Sequence, residues 1–406
     1  MLNAKTIEIV KKTAPVLKEH SHQIGKRFYE LLFRTAPELM NIFNQTNQKK
    51  GIQQEALGYV VYAAGEYITD LGALTPVIRR INEKHRAIGI RADQYPIVGE
   101  TLLQAVKDVL GDAATQEILD AWGQAYEYIA NLFIQMEGEL YEETEKQAGG
   151  WSGYRRFIVD KREKETKEVT SFYLKPEDGK AIASYRAGQY LTLKAEIPGE
   201  SYTHIRHYSL SDAPGKDYYR ISVKREGALS NDPEGIVSHY LHDQVQIGDA
   251  LLFSAPAGDF VLSADEFPIV FISGGIGITP LLSMLNDVVK RQPQRMVYFI
   301  HATKNSETHA FQSHLAELAQ SNSHVKSYVC YTAPTQDDLV SHRFDKAGHI
   351  DLDMLLSIKP DEPARYYLCG SIPFMEDILK QLSELNVPKD HVQYESFSPI
   401  AMLDEE

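Results

Sequence analysis

"NEKHRAIGIRADQY", residues 82–95, carries one histidine, His85, with Tyr95 ten positions further on. His85 follows Val77, Ile78 and Ile81 at helical spacing, so its ring is expected on the face of those apolar side chains, pointing inward. Such a residue is a core histidine or a ligand, and periodicity does not separate the two. Its surroundings are helical as well. Ile24, Phe28 and Leu31, then Leu57, Val60, Val61, Ala64 and Ile68, then Ile118, Trp122, Ala125, Ile129, Leu132, Met136 and Leu140 recur at intervals of three and four. Residues 1–147 are therefore expected to form an all-α domain of several packed helices. An inward histidine near the middle of such a domain suits a haem pocket, where neutral imidazole fills an open iron position.

The helical period stops at "KQAGGWSGY", residues 146–154, where three glycines fall within five residues. Beyond it "SFYLKP", "GQYLTLKAEI" and "DYYRISVK" alternate as strands do, which predicts an antiparallel β-barrel over 153–262. From "FPIVFISGGIGITPLLSMLNDVVK" onward, buried strands alternate with amphipathic helices, the pattern of a parallel sheet with crossovers, over 263–406. The expected fold class is thus multidomain: all-α, then β-barrel, then α/β.

Composition narrows the function. The 406 residues carry a formal charge of −14, without the clustered Lys and Arg that neutralise phosphate, so nucleic acid is not an expected partner. Two cysteines, Cys330 and Cys369, are too few for a disulfide framework or an iron–sulfur cluster. The start, "MLNAKTIEIVKK", lacks the apolar core of a signal peptide, and no apolar run is long enough to span a bilayer. A cytoplasmic location without stable membrane insertion is expected, and no obligate protein partner is implied.

In its first third the sequence resembles the flavohaemoglobins, on "RFYELLF", "NIFNQTNQ", "GIQQEAL", "KHRAIGI", "DQYPIVGE" and "DAWGQAYEYIANLFIQMEGELY", and the resemblance runs essentially the whole length of the chain. It implies a globin domain holding haem b, with His85 as the iron ligand. Tyr29, Gln53 and Leu57 would line the distal face, Phe43 would wedge against the haem, and Lys84 would lie beside it. Glu137, four residues after Phe133 and four before Tyr141, is either a solvated edge residue or a carboxylate in need of a partner. The resemblance implies the second, a hydrogen-bonded set with Tyr95 behind His85. Such a carboxylate makes the other imidazole nitrogen a stronger donor, which favours oxygen activation over storage.

"HIRHYSLSD" puts Arg206 and Tyr208 on one strand face and His207 and Ser209 on the other. An Arg fork matches a pyrophosphate and a Tyr ring can lie on a flat isoalloxazine, although an ordinary strand surface reads the same way. "AGQYLTL" adds Gly188, Gln189 and Tyr190, and "EGIVSHYLHD" sets Gly235 and Ser238 at a helix start. Together they resemble a ferredoxin-reductase type of FAD domain, in which Tyr190, Arg206 to Ser209 and Ser238 contact FAD. "VFISGGIGITPLLSML" is a strand, a glycine turn and a helix, departing from the usual dinucleotide fingerprint at its third glycine. In ferredoxin-reductase relatives this form is expected, and it implies Gly274, Gly275, Ile276, Gly277, Ile278 and Thr279 as pyridine-nucleotide residues. "MVYFIHATKN" ends without the acidic residue that would hold a ribose hydroxyl, and Lys304 is no clear phosphate clamp, so NADH and NADPH stay open. In the closing "HVQYESFSP", Phe397, Ser398 and Pro399 fall where the family covers the flavin, with Ser398 in place of the family's Gly.

The activity implied is nitric oxide dioxygenation: electrons pass from NAD(P)H through FAD to haem, and O2 and NO become nitrate, which detoxifies NO. Three other readings stay open. They are an oxygen carrier or sensor with an auxiliary reductase, a hydroperoxide reductase, and a flavin reductase with a helical regulatory domain.

Overall fold

The computed structural model describes residues 2–42, 62, 63, 65–227 and 235–397. It divides into two compact units, Met1–Tyr154 with Thr192–Arg206, and Arg155–Leu191 with His207–Glu406.

The first unit is built on helices α1 (Ala4–Glu19), α2 (Ser21–Thr35), α3 (Thr75–Ile88), α4 (Tyr95–Leu110) and α5 (Gln116–Lys146). Each end has a local cause. The Asn3 side chain accepts from the Thr6 N–H at 2.9 Å and starts α1. Proline in the first turn opens both α3 and α4. α3 stops at Gly89, whose φ of 82° is left-handed and lets the Ile90 N–H return to the His85 carbonyl at 2.9 Å. α2 packs on α4, and α1, α3 and α4 pack on α5. Val10, Ala14, Leu17, Phe28, Leu32 and Trp122 fill the core between them, and the Trp122 indole N–H donates to Thr13 Oγ1 at 2.8 Å.

Two details differ from the sequence expectation. Val77 is exposed while Ile78 is buried, so the inward face of α3 is narrower than its apolar content suggested. On α5 the buried stripe passes from Trp122 and Ala125 to Ala130, Phe133 and Glu137, leaving Leu132, Met136 and Leu140 half-buried. The 3.6-residue period drifts around a 31-residue helix, so its inner face in the second half is not the apolar row extrapolated from the first.

From Tyr154 onward the chain forms two sheets. Strands β1 (Tyr154–Lys164), β2 (Val169–Pro176), β3 (Tyr190–Ala195), β4 (His204–Ser209), β5 (Tyr219–Lys224) and β6 (Ala250–Ser254) belong to a sheet ordered β4-β3-β6-β1-β2-β5. β1 and β5 pair antiparallel with β2, and Phe157, Phe172, Leu174, Tyr219 and Phe253 are fully buried against it. Helix α6 (Ile236–Asp243) lies between β5 and β6 in the chain. The other sheet is parallel, ordered β10-β9-β8-β7-β11-β12, from β7 (Ile269–Gly274), β8 (Val297–Thr303), β9 (Val325–Tyr331), β10 (Lys346–Ala347), β11 (Arg365–Gly370) and β12 (Val392–Ser396). Helices α7 (Ile278–Arg291), α8 (Gln312–Ser321), α9 (Gln336–Ser341), α10 (Leu352–Ile358) and α11 (Ile372–Glu384) connect its strands. The central strands are apolar on both sides because helices cover both faces. Cys330 and Cys369 are buried in this sheet and form no disulfide; the Cys330 thiol points at Met354 Sδ, 3.2 Å away. No described helix is long and apolar enough to cross a membrane.

Candidate functional site

α3, α4 and α5 bring His85, Tyr95 and Glu137 together. Glu137 Oε1 lies 2.7 Å from His85 Nδ1 and accepts the Tyr95 hydroxyl at 2.5 Å. The same hydroxyl is 3.2 Å from Nδ1. Glu137 is only 3% exposed, so the solvated-edge reading of this carboxylate does not hold. A carboxylate that deep requires donors, and here a ring N–H and a phenol supply them. The Tyr95 hydroxyl is held firmly protonated, first by burial and then by the adjacent Glu137 charge. With Nδ1 engaged, His85 keeps Nε2 for a ligand, and no described residue hydrogen-bonds that nitrogen. The His85 side chain is 31% exposed although its neighbours Asn82, Glu83 and Arg86 are buried. A ring open at one nitrogen and tied at the other is a donor set suited to a metalloporphyrin.

Several supporting residues escaped the sequence reading. Tyr126 OH donates to the Tyr95 carbonyl at 2.7 Å, and Tyr141 OH to the Ile90 carbonyl at 2.7 Å, so α5 grips both ends of the α3–α4 connection. Asn82, fully buried, donates to the Phe133 carbonyl at 3.3 Å, one turn from Glu137. Glu83 and Arg86 form a buried ion pair at 2.9 Å. Tyr126 and Tyr141 lie on the α5 face that carries Glu137, a signal the spacing offered. Asn82 gave none.

Tyr29 is buried on α2 between the rings of Phe28 and Phe33, with centroids 4.9 and 5.7 Å away. Lys84, next to His85, is half-buried. Phe43, Gln53 and Leu57 lie outside the described residues, as do Ser398 and Pro399.

On β4, Arg206 and Tyr208 are half-buried, His207 is exposed and Ser209 buried. Tyr190 on β3 is buried, with its ring 4.7 Å from that of His207. Gly188 precedes it with φ +101°, and a Cβ there would lie 2.0 Å from the Phe260 carbonyl oxygen, so only glycine allows that approach. Ser238, in the first turn of α6, donates to the Gly235 carbonyl at 2.9 Å and accepts from the Glu226 N–H at 3.1 Å. Its hydroxyl ties the helix start to the end of β5.

β7 runs into a tight turn over Gly275–Gly277 and then α7. Gly275 is left-handed at φ +54° and exposed. A Cβ on Gly277 would meet the Cys369 carbonyl oxygen at 2.2 Å, so the turn lies directly on the end of β11. Gly274 and Ile276 are half-buried, Ile278 and Thr279 buried, and the Thr279 hydroxyl donates back to the Ile276 carbonyl at 3.1 Å. An exposed glycine turn at a helix start beyond the carboxyl end of a parallel strand is where such sheets take phosphate. Lys304 is exposed past the end of β8, and Phe397 is exposed past the end of β12. Beneath this rim His301 and His309 are buried with ring centroids 4.7 Å apart. Ser273 Oγ is 2.8 Å from His301 Nδ1, and Tyr331 OH is 3.0 Å from His309 Nδ1. Burial lowers both imidazoles, His309 to about 4 and His301 well below its ordinary value, so both are neutral near pH 7.

Comparison with known proteins covers the chain almost completely. Residues 26–132 match the globin family, 156–262 an oxidoreductase FAD-binding domain and 271–380 an oxidoreductase NAD-binding domain. The flavohemoprotein of Bacillus thuringiensis subsp. konkukian is 52% identical over 404 residues, covering 99% of this chain and 100% of the relative. That of Rhizobium meliloti is 43% identical over 98% of this chain and 99% of its own length. The crystal structure of flavohemoglobin from Malassezia yamatoensis, with bound FAD and heme, superposes with a TM-score of 0.84 at 27% identity, covering 98% of this chain and 99% of that one. The FAD/NAD-binding domain of nitric oxide dioxygenase from Vibrio cholerae covers 60% of this chain and 99% of its own, with a TM-score of 0.55 at 38% identity.

Proposed function

Because the chain belongs to the flavohemoprotein family, a globin followed by FAD- and NAD-binding domains of ferredoxin-reductase type, we propose that it is a nitric oxide dioxygenase using haem b, FAD and NADH or NADPH. The domains on this reading are 1–147, 153–262 and 263–406, the small-molecule partners are O2 and NO, and the setting is the cytoplasm. The observation that carries it is the buried carboxylate of Glu137 bonded at 2.7 Å to His85 Nδ1, since a globin that only stores oxygen has little use for one.

When bound, FAD would supply two-electron acceptance from a pyridine nucleotide and one-electron release, and haem would supply one-electron and O2 chemistry. His85 would hold the iron through Nε2. Its Nδ1–H donates to Glu137, which fixes the tautomer, orients the ring and raises the basicity of Nε2. Tyr95 holds the carboxylate in place from the other side, and Tyr126 anchors Tyr95 through its backbone. By the resemblance, Tyr29 and Gln53 would serve as donors on the distal face, Leu57 and Phe43 would supply its apolar lining, and Lys84, next to His85, would contact the haem. Tyr190, Arg206, His207, Tyr208, Ser209 and Ser238 would hold FAD, and by the resemblance Phe397, Ser398 and Pro399 belong to the segment that would cover it. Gly274 through Thr279 take the pyrophosphate of the nucleotide on their backbone N–H groups.

Nitrate from NO and O2 requires one electron per NO, so one NADH serves two NO. Aerobic protein given NADH and then NO is expected to show NADH oxidation in that ratio, with nitrate equal to the NO added. NADH oxidation indifferent to NO would reject the assignment, and oxidation driven by hydroperoxide alone would favour a peroxide reductase.

A further inference from the structure

At the closed end of the β1–β2 hairpin, against the carboxyl end of α6, lies a cavity of about 780 Å³. Its volume is that of a small-molecule pocket, for which the usual span is roughly 300–1,000 Å³. Four cationic side chains, Arg162, Lys164, Lys167 and Arg225, line it together with one carboxylate, Asp243. In a chain of net charge −14 such a concentration is against the composition.

Two of the cations are fixed. Arg162 donates to the Val245 carbonyl at 2.6 Å and the His242 carbonyl at 2.9 Å, and its guanidinium lies 5.2 Å from the centroid of the Phe172 ring. The first of these carbonyls lies just past α6 and the second in its last turn, a third bond goes to Gln246 Oε1 at 3.3 Å, and no carboxylate pairs with Arg162 among the described residues. Arg225 is paired with Asp243, which uses up the cavity's negative charge, and its second nitrogen approaches His239 Nδ1 at 3.5 Å. The other two cations are at the rim. Lys164, opposite Thr170 in the β1–β2 register, is exposed and has no hydrogen-bond or ion-pair partner among the described residues. Lys167 makes one ion pair, to Glu307 at 3.4 Å, with the two side chains 75% and 57% exposed, a contact water and salt readily exchange. Of the acidic residues in the hairpin turn, Glu165 is turned to Ser171 Oγ at 2.6 Å, and Glu168, beside Lys167, is exposed.

We propose that this cavity binds a short polyphosphate chain, free or carried on a nucleoside. Two hydrogen-bonded guanidinium groups form its wall and two exposed ammonium groups stand at its rim, which suits several linked anionic groups rather than a single carboxylate. The site is separate from the two cofactor cradles. Along α6, at 1.5 Å per residue, Gly235 lies about 12 Å and Ser238 about 7.5 Å from Asp243, and the glycine turn Gly275–Gly277 belongs to the other sheet.

The test is isothermal titration of tripolyphosphate, ATP and sulfate into the holoprotein saturated with FAD and NAD+, so that the nucleotide sites are filled. One equivalent of tripolyphosphate or ATP is expected to bind at least tenfold more tightly than sulfate. The double variant K164A/K167A is expected to lose at least tenfold in that affinity, with unchanged unfolding temperature and unchanged NADH–ferricyanide reduction. No binding of either polyanion at millimolar concentration, sulfate binding as tight as tripolyphosphate, or full affinity in the double variant would each overturn the proposal.

Discussion

Glu137→Gln isolates the charge behind His85 while keeping the shape of the side chain. Glu137 Oε1 accepts at 2.7 Å from His85 and at 2.5 Å from Tyr95, both hydrogen bonds to an ionised group. Such bonds are worth about 1.5–3 kcal/mol each and their neutral counterparts about 0.5–1.5, so the amide weakens the pair by roughly 2–3 kcal/mol in total. About half of that, on the order of 1–1.5 kcal/mol, falls on His85, the proposed metal ligand. The negative charge favours the oxidised iron, so removing it raises the one-electron potential, by at most about 40–65 mV at 59 mV per tenfold. Nε2 also becomes a weaker donor, which lowers the iron–histidine stretching frequency. Resonance Raman spectra of the reduced protein and a spectroelectrochemical titration measure both. Tyr95→Phe keeps the charge and the 2.7 Å bond, so it is expected to shift either quantity much less. An unchanged frequency and potential in Glu137→Gln would refute the reasoning, as would a Tyr95→Phe shift of equal size.

His85→Ala is expected to abolish the Soret band of purified protein while NADH–ferricyanide reduction continues, because the flavin and nucleotide cradles lie in other domains; retained haem absorbance would show another ligand. Tyr29→Phe is expected to weaken bound O2 by about 1–3 kcal/mol, measured as faster O2 release by flash photolysis, with an unchanged rate excluding the hydroxyl as donor. Gly277→Ala puts a Cβ 2.2 Å from the Cys369 carbonyl oxygen and is expected to lower the unfolding temperature and the affinity for NADH, both followed by calorimetry. His309 is lowered by burial to about 4 from 6.5, so its contribution to stability is complete above pH 6.5 and is lost as pH falls toward 4. By pH 5 that loss is about 2 kcal/mol, and His301 acts in the same direction. Chemical unfolding at pH 7 and pH 5, followed by flavin fluorescence, is expected to show this slope flattened in His309→Gln.

The helical signal around His85 and the position of Glu137 four residues from Phe133 were readable because both are local and periodic. The burial of Glu137 was not, since the same spacing fits a solvated edge until α3 and α4 close over it. Asn82 looked like any polar helical residue, and its role depends on a carbonyl 51 positions away. The alternation of strands and helices foretold a parallel sheet, but the order β10-β9-β8-β7-β11-β12 is set by long-range pairing that no stretch of sequence contains. The Ser238 hydroxyl illustrates the same limit. Its place at a helix start was legible, whereas its bonds to Gly235 and Glu226 depend on how β5 ends.

Both sulfhydryls of this protein are sealed inside the parallel sheet, and burial pushes Cys330 up to about 12 and Cys369 well above its ordinary value. Nitrosation, alkylation and peroxide attack all proceed through the thiolate, a form neither residue adopts while folded. Reactive nitrogen or oxygen species therefore meet no thiolate on the folded protein. A maleimide dye will label it only as fast as the sheet opens, which makes the labelling rate a clock for that opening.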